Sequence, residues 1–151
     1  MSADFYLGNP NLKKVGTEIN FTKNQIQEYL KCKDDPVYFA RNYIKIISLD
    51  EGIVPFKMWD FQEELIESFH ENRFNIAKLP RQTGKSTTCV SYLLHYILFN
   101  DNVNVGILAN KLSTARDLLG RLQLAYEQLP LWIQQGIVVY NKGSMELENG
   151  S

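Results

Sequence analysis

Residues 74–79 alternate apolar and polar, and Val90, Leu93, Leu94, Ile97 and Leu98 follow at helical spacing. The alternation predicts a strand and the spacing predicts a helix. Between them lies Pro80-Arg81-Gln82-Thr83-Gly84-Lys85-Ser86. With Leu79, this segment matches the pattern G-x-x-x-x-G-K-[ST], except that Leu79 stands at the first glycine. Strand, tight loop and helix in that order are what a phosphate cradle needs. Backbone N–H groups and the positive end of the helix can surround an anion there. Gly84 allows close backbone approach, Lys85 can reach β- and γ-phosphates, and the Ser86 hydroxyl, followed by Thr87, can hold Mg²⁺. A nucleotide and Mg²⁺ are therefore the expected ligands. An isolated Gly-Lys-Ser would be an ordinary solvated turn, so the flanking elements carry the prediction.

Composition narrows the class. A chain of 151 residues, 44% of them hydrophobic, has the length of one domain and too many apolar side chains for a disordered segment. Cys32 and Cys89 are too few for a disulfide scaffold. With 16 Lys/Arg against 17 Asp/Glu, the surface lacks the basic excess of a general nucleic-acid binder. The longest apolar run, residues 92–99, is too short to cross a bilayer, and the N-terminus lacks a signal-peptide pattern. The expected location is intracellular, with no membrane partner.

Three regions are predicted. Residues 1–20 show no period and read as a flexible arm. Residues 21–73 read as a helical subdomain: Thr22 and Gln25 have capping-box spacing, Asp35-Pro36 can open a second helix, and Asp60 with Glu63 repeats the start signal before Phe61, Leu65, Ile66 and Phe69. Residues 74–151 read as a partial nucleotide-binding core. Its second strand is expected at residues 103–109, followed by a helix capped by Ser113 and stopped by Pro130. A hairpin is expected around Asn141-Lys142-Gly143. Strand-helix-strand-helix order predicts an α/β fold with a parallel sheet.

The loop and several other segments together resemble the large terminase subunit of T-even-type tailed bacteriophages. Leu79-Pro80-Arg81-Gln82-Thr83-Gly84-Lys85-Ser86 is similar to that family's deviant R-Q-x-G-K-[ST] loop. Lys33-Asp34-Asp35-Pro36-Val37-Tyr38-Phe39-Ala40, Asp60-Phe61-Gln62, Val105-Gly106-Ile107-Leu108-Ala109 and Asn141-Lys142-Gly143-Ser144 follow in matching order. The likeness covers residues 7–151. It implies a P-loop ATPase core of the RecA-like kind, incomplete here, that drives double-stranded DNA into a procapsid. It further implies a portal and a small terminase subunit as partners, a ring of subunits, and the cytoplasm of an infected bacterial host.

By the same resemblance Arg81 is a cis-acting arginine finger and Gln62 contacts adenine, with Phe61 as an apolar wall. The alternatives are an Arg81 that stays in solvent or pairs with an acid, and a Gln62 that is simply an exposed helical residue. A second glutamine of the family is replaced by Lys57. His70 and His95 have no ligand partner at metal-binding spacing. Asn110 and Lys111 fit a strand-exit turn as well as a contact to DNA or nucleotide.

Hydrolysis also needs an acid on Mg²⁺ and a group that orients water. In motors of this type both come from an apolar strand ending in Asp-Glu, and no such strand is present. Glu146 and Glu148 read as solvent-facing strand positions. The expectation is an N-terminal piece of a longer ATPase that binds ATP and turns it over poorly. A non-catalytic nucleotide-binding or assembly module and the first domain of a helicase-like ATPase are the alternatives.

Overall fold

The computed structural model describes residues 5–48 and 50–151. It is a mixed helix and strand structure, and the N-terminal helices start where side chains satisfy their free N–H groups. In α1 (Lys23–Asp34) the Thr22 hydroxyl accepts from the Gln25 N–H at 3.2 Å, and the Gln25 side chain accepts from the Thr22 N–H at 2.9 Å. This is the reciprocal box expected from the sequence. Asp35 caps α2 (Pro36–Tyr43) by accepting the Tyr38 N–H at 2.8 Å. Helix α3 (Asp60–Glu71) starts one residue earlier than the Asp60/Glu63 spacing predicts. Trp59 is its N-cap, and Gln62 rather than Glu63 reaches back to the Trp59 N–H at 3.0 Å. Glu63 instead takes two hydrogen bonds from the Arg41 guanidinium of α2, one of them at 2.6 Å.

A short antiparallel hairpin, β1 (Lys45–Ser48) and β2 (Gly52–Pro55), separates α2 from α3. Helix α4 (Lys85–Phe99) packs against α2, α3 and α5 (Leu112–Glu127), and so forms the centre of the molecule. Its Val90, Leu94, Ile97 and Leu98 are buried, as the stripe predicted, together with Phe39, Ile66, Leu122 and Tyr126 of the helices around it. The N-cap of α5 is Lys111, with no side-chain cap, and the predicted cap Ser113 lies inside the first turn. The predicted C-terminal hairpin is present as β3 (Ile137–Tyr140) and β4 (Met145–Leu147). Asn141 closes it by accepting the N–H groups of Gly143 at 2.8 Å and Ser144 at 2.9 Å.

The predicted parallel sheet is absent among the described residues. Both sheets are two-stranded and antiparallel, and residues 74–79 and 103–109 carry neither helix nor ladder. No backbone–backbone hydrogen bond joins either segment to another among the described residues. Ile76 is 101% exposed, Leu108 92% and Phe74 83%. The physical reason is that alternation marks only a strand preference. A strand forms when a neighbour takes its N–H and C=O groups, and here no neighbour does.

The described part of the N-terminal region touches the C-terminal hairpin and the segment before it. Leu12 is buried, and the Ile137 N–H donates to the Lys13 carbonyl at 2.8 Å. The buried Gln134 accepts the Lys13 N–H at 3.0 Å and donates to the Asn11 carbonyl at 3.0 Å. Glu148, expected to face solvent, accepts the N–H groups of Gly136 at 2.6 Å and Gly16 at 3.1 Å. Partial burial pushes its carboxyl up, but those two N–H groups and the Lys13 ammonium outweigh it and hold it below the usual range. The C-terminal carbonyls of α4 are covered by side chains. Gln135 donates to Leu98 at 3.1 Å, Asn149 to Ile97 at 2.9 Å, and Ser151 to Asn100 at 2.8 Å.

His95 of α4 is 1% exposed, and its Nε2 lies 2.8 Å from the Cys32 carbonyl, which can only accept. Nε2 therefore carries the proton, and the buried Nδ1 has no partner among the described residues. Burial pushes its pKa down from 6.5 to about 4. The unfolded chain then takes up a proton that the folded chain refuses. Stability from neutral His95 is complete above pH 6.5 and is lost as pH falls towards 4. The expected loss across that window is about 3 kcal/mol. Urea unfolding at pH 7 and pH 4.5 measures it, and a His95→Leu variant with an unchanged pH slope would overturn it.

Candidate functional site

The loop before α4 is shaped by two left-handed residues, Gln82 at φ 64° and Gly84 at φ 72°. Left-handed positions of this kind turn successive N–H groups towards one side, as anion-binding nests require. Gly84 is the N-cap of α4 and offers no side chain to it. The first helical bond runs from the Thr88 N–H to the Gly84 carbonyl at 3.0 Å. The N–H groups of Lys85, Ser86 and Thr87 thus have no partner within the helix, and the helix dipole adds partial positive charge beside them.

Side chains complete the loop. The Lys85 ammonium folds back to donate to the Pro80 carbonyl at 3.2 Å and the Leu79 carbonyl at 3.4 Å. The Thr83 hydroxyl donates to the same Pro80 carbonyl at 3.1 Å and closes the turn. Among the described residues, the Ser86 hydroxyl has no hydrogen-bond partner and the exposed Arg81 has no ion pair. Arg81 is therefore free to move onto a bound phosphate. Its guanidinium and the Lys85 ammonium are the two cations of the loop.

A groove of about 390 Å³ opens beside Lys85 and Ser86, floored by Cys89, Val90 and Leu93 and flanked by residues 77–79 and 106–108. Among the described residues, no carboxylate lines it. Burial raises the Cys89 thiol, so the group stays protonated and packs as a small apolar side chain. Thr87 lines a different groove, against Ile46 and Arg121.

The residues fit a magnesium-bound phosphate group. Gly84 takes the left-handed φ of 72° that the turn needs, the Lys85 ammonium leans only on two loop carbonyls, and the Ser86 hydroxyl has no partner among the described residues. Ser86 would hold the metal, which supplies charge to the phosphate oxygens. No family model matches the chain.

Gln62 sits elsewhere than an exposed helical position. It is 4% exposed and joins α3 to the loop, with its Nε2 donating to the Thr83 carbonyl at 3.0 Å. Its Oε1 takes the Trp59 N–H at the helix cap. Phe61 is half-buried beside Trp59, with ring centroids 5.7 Å apart, and Trp59 is largely exposed. Sequence reasoning missed the cap at Trp59 and the bond to Thr83. The available signal was Gln62 at the third helical position after Trp59, the place from which a glutamine can reach back.

Proposed function

We propose that this chain is the ATP-binding portion of a viral DNA-packaging motor of the terminase large-subunit type. The observation that carries the reading is the loop itself: Lys85 and Ser86 open α4 behind a left-handed Gly84, with three N–H groups unpaired within the helix. Lys85 and the N–H groups of Lys85, Ser86 and Thr87 bind the phosphates, and Ser86 holds Mg²⁺. Arg81 supplies positive charge where the transferring phosphoryl oxygens become more negative. In the whole motor, hydrolysis drives double-stranded DNA into a procapsid, with a portal, a small terminase subunit and a ring of ATPase subunits in the host cytoplasm.

This chain by itself binds ATP and hydrolyses it slowly. The support is the groove beside Ser86, which has no carboxylate to share the metal or to orient water. That observation equally favours a second reading, a nucleotide-binding module without catalysis. Calorimetric titration with ATP in the presence and absence of Mg²⁺ tests both. The expected dissociation constant with Mg²⁺ is on the order of 10 μM, and Ser86→Ala abolishes the Mg²⁺ enhancement. No binding of ATP or inorganic tripolyphosphate at millimolar concentration would overturn the assignment. Turnover at the rate of a complete motor would remove the second reading.

A further inference from the structure

The Gln62 side chain lies between the start of α3 and the phosphate loop, with both ends of its amide in use. Its Oε1 accepts the Trp59 N–H at 3.0 Å and its Nε2 donates to the Thr83 carbonyl at 3.0 Å. We propose that Gln62 is a positioning residue that clamps the phosphate loop, and that the site selects triphosphates by their phosphates rather than through a base contact by Gln62. The proposal rests on the phosphate-loop reading above and deepens it.

Pairing with a nucleobase edge would need the donor and acceptor of this amide together. Turning the amide outward would break both existing bonds and leave the Trp59 N–H and the Thr83 carbonyl without partners. Each such orphan is costly away from water, and Gln62 is 4% exposed. The loop is also fitted to the amide. A Cβ on Gly84 would stand 2.5 Å from Gln62 Nε2, so only glycine lets the two come this close. Its φ of 72° requires glycine for a second reason.

The bond has a direction that matters for anion binding. In a trans peptide the C=O and N–H groups point opposite ways, and the described chain has no cis bond. Holding the Thr83 carbonyl towards α3 turns the Gly84 N–H away from α3. The clamp thus fixes the peptide plane from which the chain enters Lys85. The Thr83 hydroxyl, bonded to the Pro80 carbonyl, braces the same residue from the other side.

Gln62→Glu separates the two ends of the amide. A glutamate still accepts the Trp59 N–H but cannot donate to the Thr83 carbonyl. Titration with ATP, GTP and inorganic tripolyphosphate, each with Mg²⁺, should show about a tenfold loss of affinity that is equal for all three. Backbone amide order parameters of residues 83–85 in the ligand-free chain should fall from the rigid range of about 0.85 towards about 0.6. Gln62→Met, close in volume and without either polar atom, should reproduce both changes if the glutamate variant does not fold. A loss confined to ATP, with tripolyphosphate unaffected, makes Gln62 a base reader and overturns the clamp, as do unchanged order parameters. A wild-type chain that binds no tripolyphosphate overturns the phosphate-loop reading instead, and the order parameters still decide the clamp.

Discussion

Replacing Lys85 by alanine is expected to weaken Mg²⁺–ATP binding by about a hundredfold while leaving the unfolding midpoint unchanged. Charge-assisted hydrogen bonds contribute roughly 1.5–3 kcal/mol each, and an ammonium between two phosphates makes more than one. A hundredfold change corresponds to about 2.7 kcal/mol. Stability should not follow, because the ammonium is exposed and its partners, the carbonyls of Leu79 and Pro80, can turn to water. Calorimetry on wild type and Lys85→Ala measures the first quantity, and urea unfolding measures the second. Equal affinity in the two proteins would show that residues 79–86 are not a phosphate loop. A large drop in stability would mean that Lys85 serves the fold.

Phe39→Ala is expected to have the opposite profile. Phe39 is fully buried on α2 and touches three rings: Tyr43 stacked at 6.3 Å, His95 tilted at 5.5 Å, and Phe99 edge-on at 5.6 Å. Truncating a buried phenylalanine costs about 3–5 kcal/mol in transfer and cavity terms. Ring pairs add about 0.5–1.5 kcal/mol each. Against a total stability of about 5–15 kcal/mol, the variant should be largely unfolded at moderate urea. Because His95 and Phe99 belong to α4, the loss spreads to the helix that carries Lys85. Phe39→Leu keeps most of the volume and should recover more than half of the stability. A cost below about 1 kcal/mol for Phe39→Ala would mean that the α2–α4 contact is peripheral to the core.

The parts legible from sequence are those set by neighbours within four residues. Thr22 with Gln25, Asp35 with Pro36, and the Asn141 turn each satisfy nearby N–H groups, and all three occur where expected. The α4 stripe follows from helical period, and Gly84-Lys85-Ser86 falls at the start of that helix. The chemistry proposed for the loop was legible for the same reason, since its residues are consecutive.

Other features depended on residues far apart in the chain. The Gln62–Thr83 bond spans 21 positions, the His95–Cys32 bond 63, and the Glu148–Gly16 bond 132. No local pattern records them, because each exists only once α3, α4 and the C-terminal hairpin have packed. Packing also decided that Leu12 is buried and that the carboxylate of the exposed Glu148 accepts two backbone N–H groups. Residues 74–79 and 103–109 mark the sharpest division. The sequence by itself determined their alternating side chains and their places before the loop and before α5. Whether they are strands was a tertiary matter, because a strand's hydrogen bonds belong to its neighbours. With no backbone hydrogen bonds to a neighbour among the described residues, Ile76 and Leu108 stand in solvent.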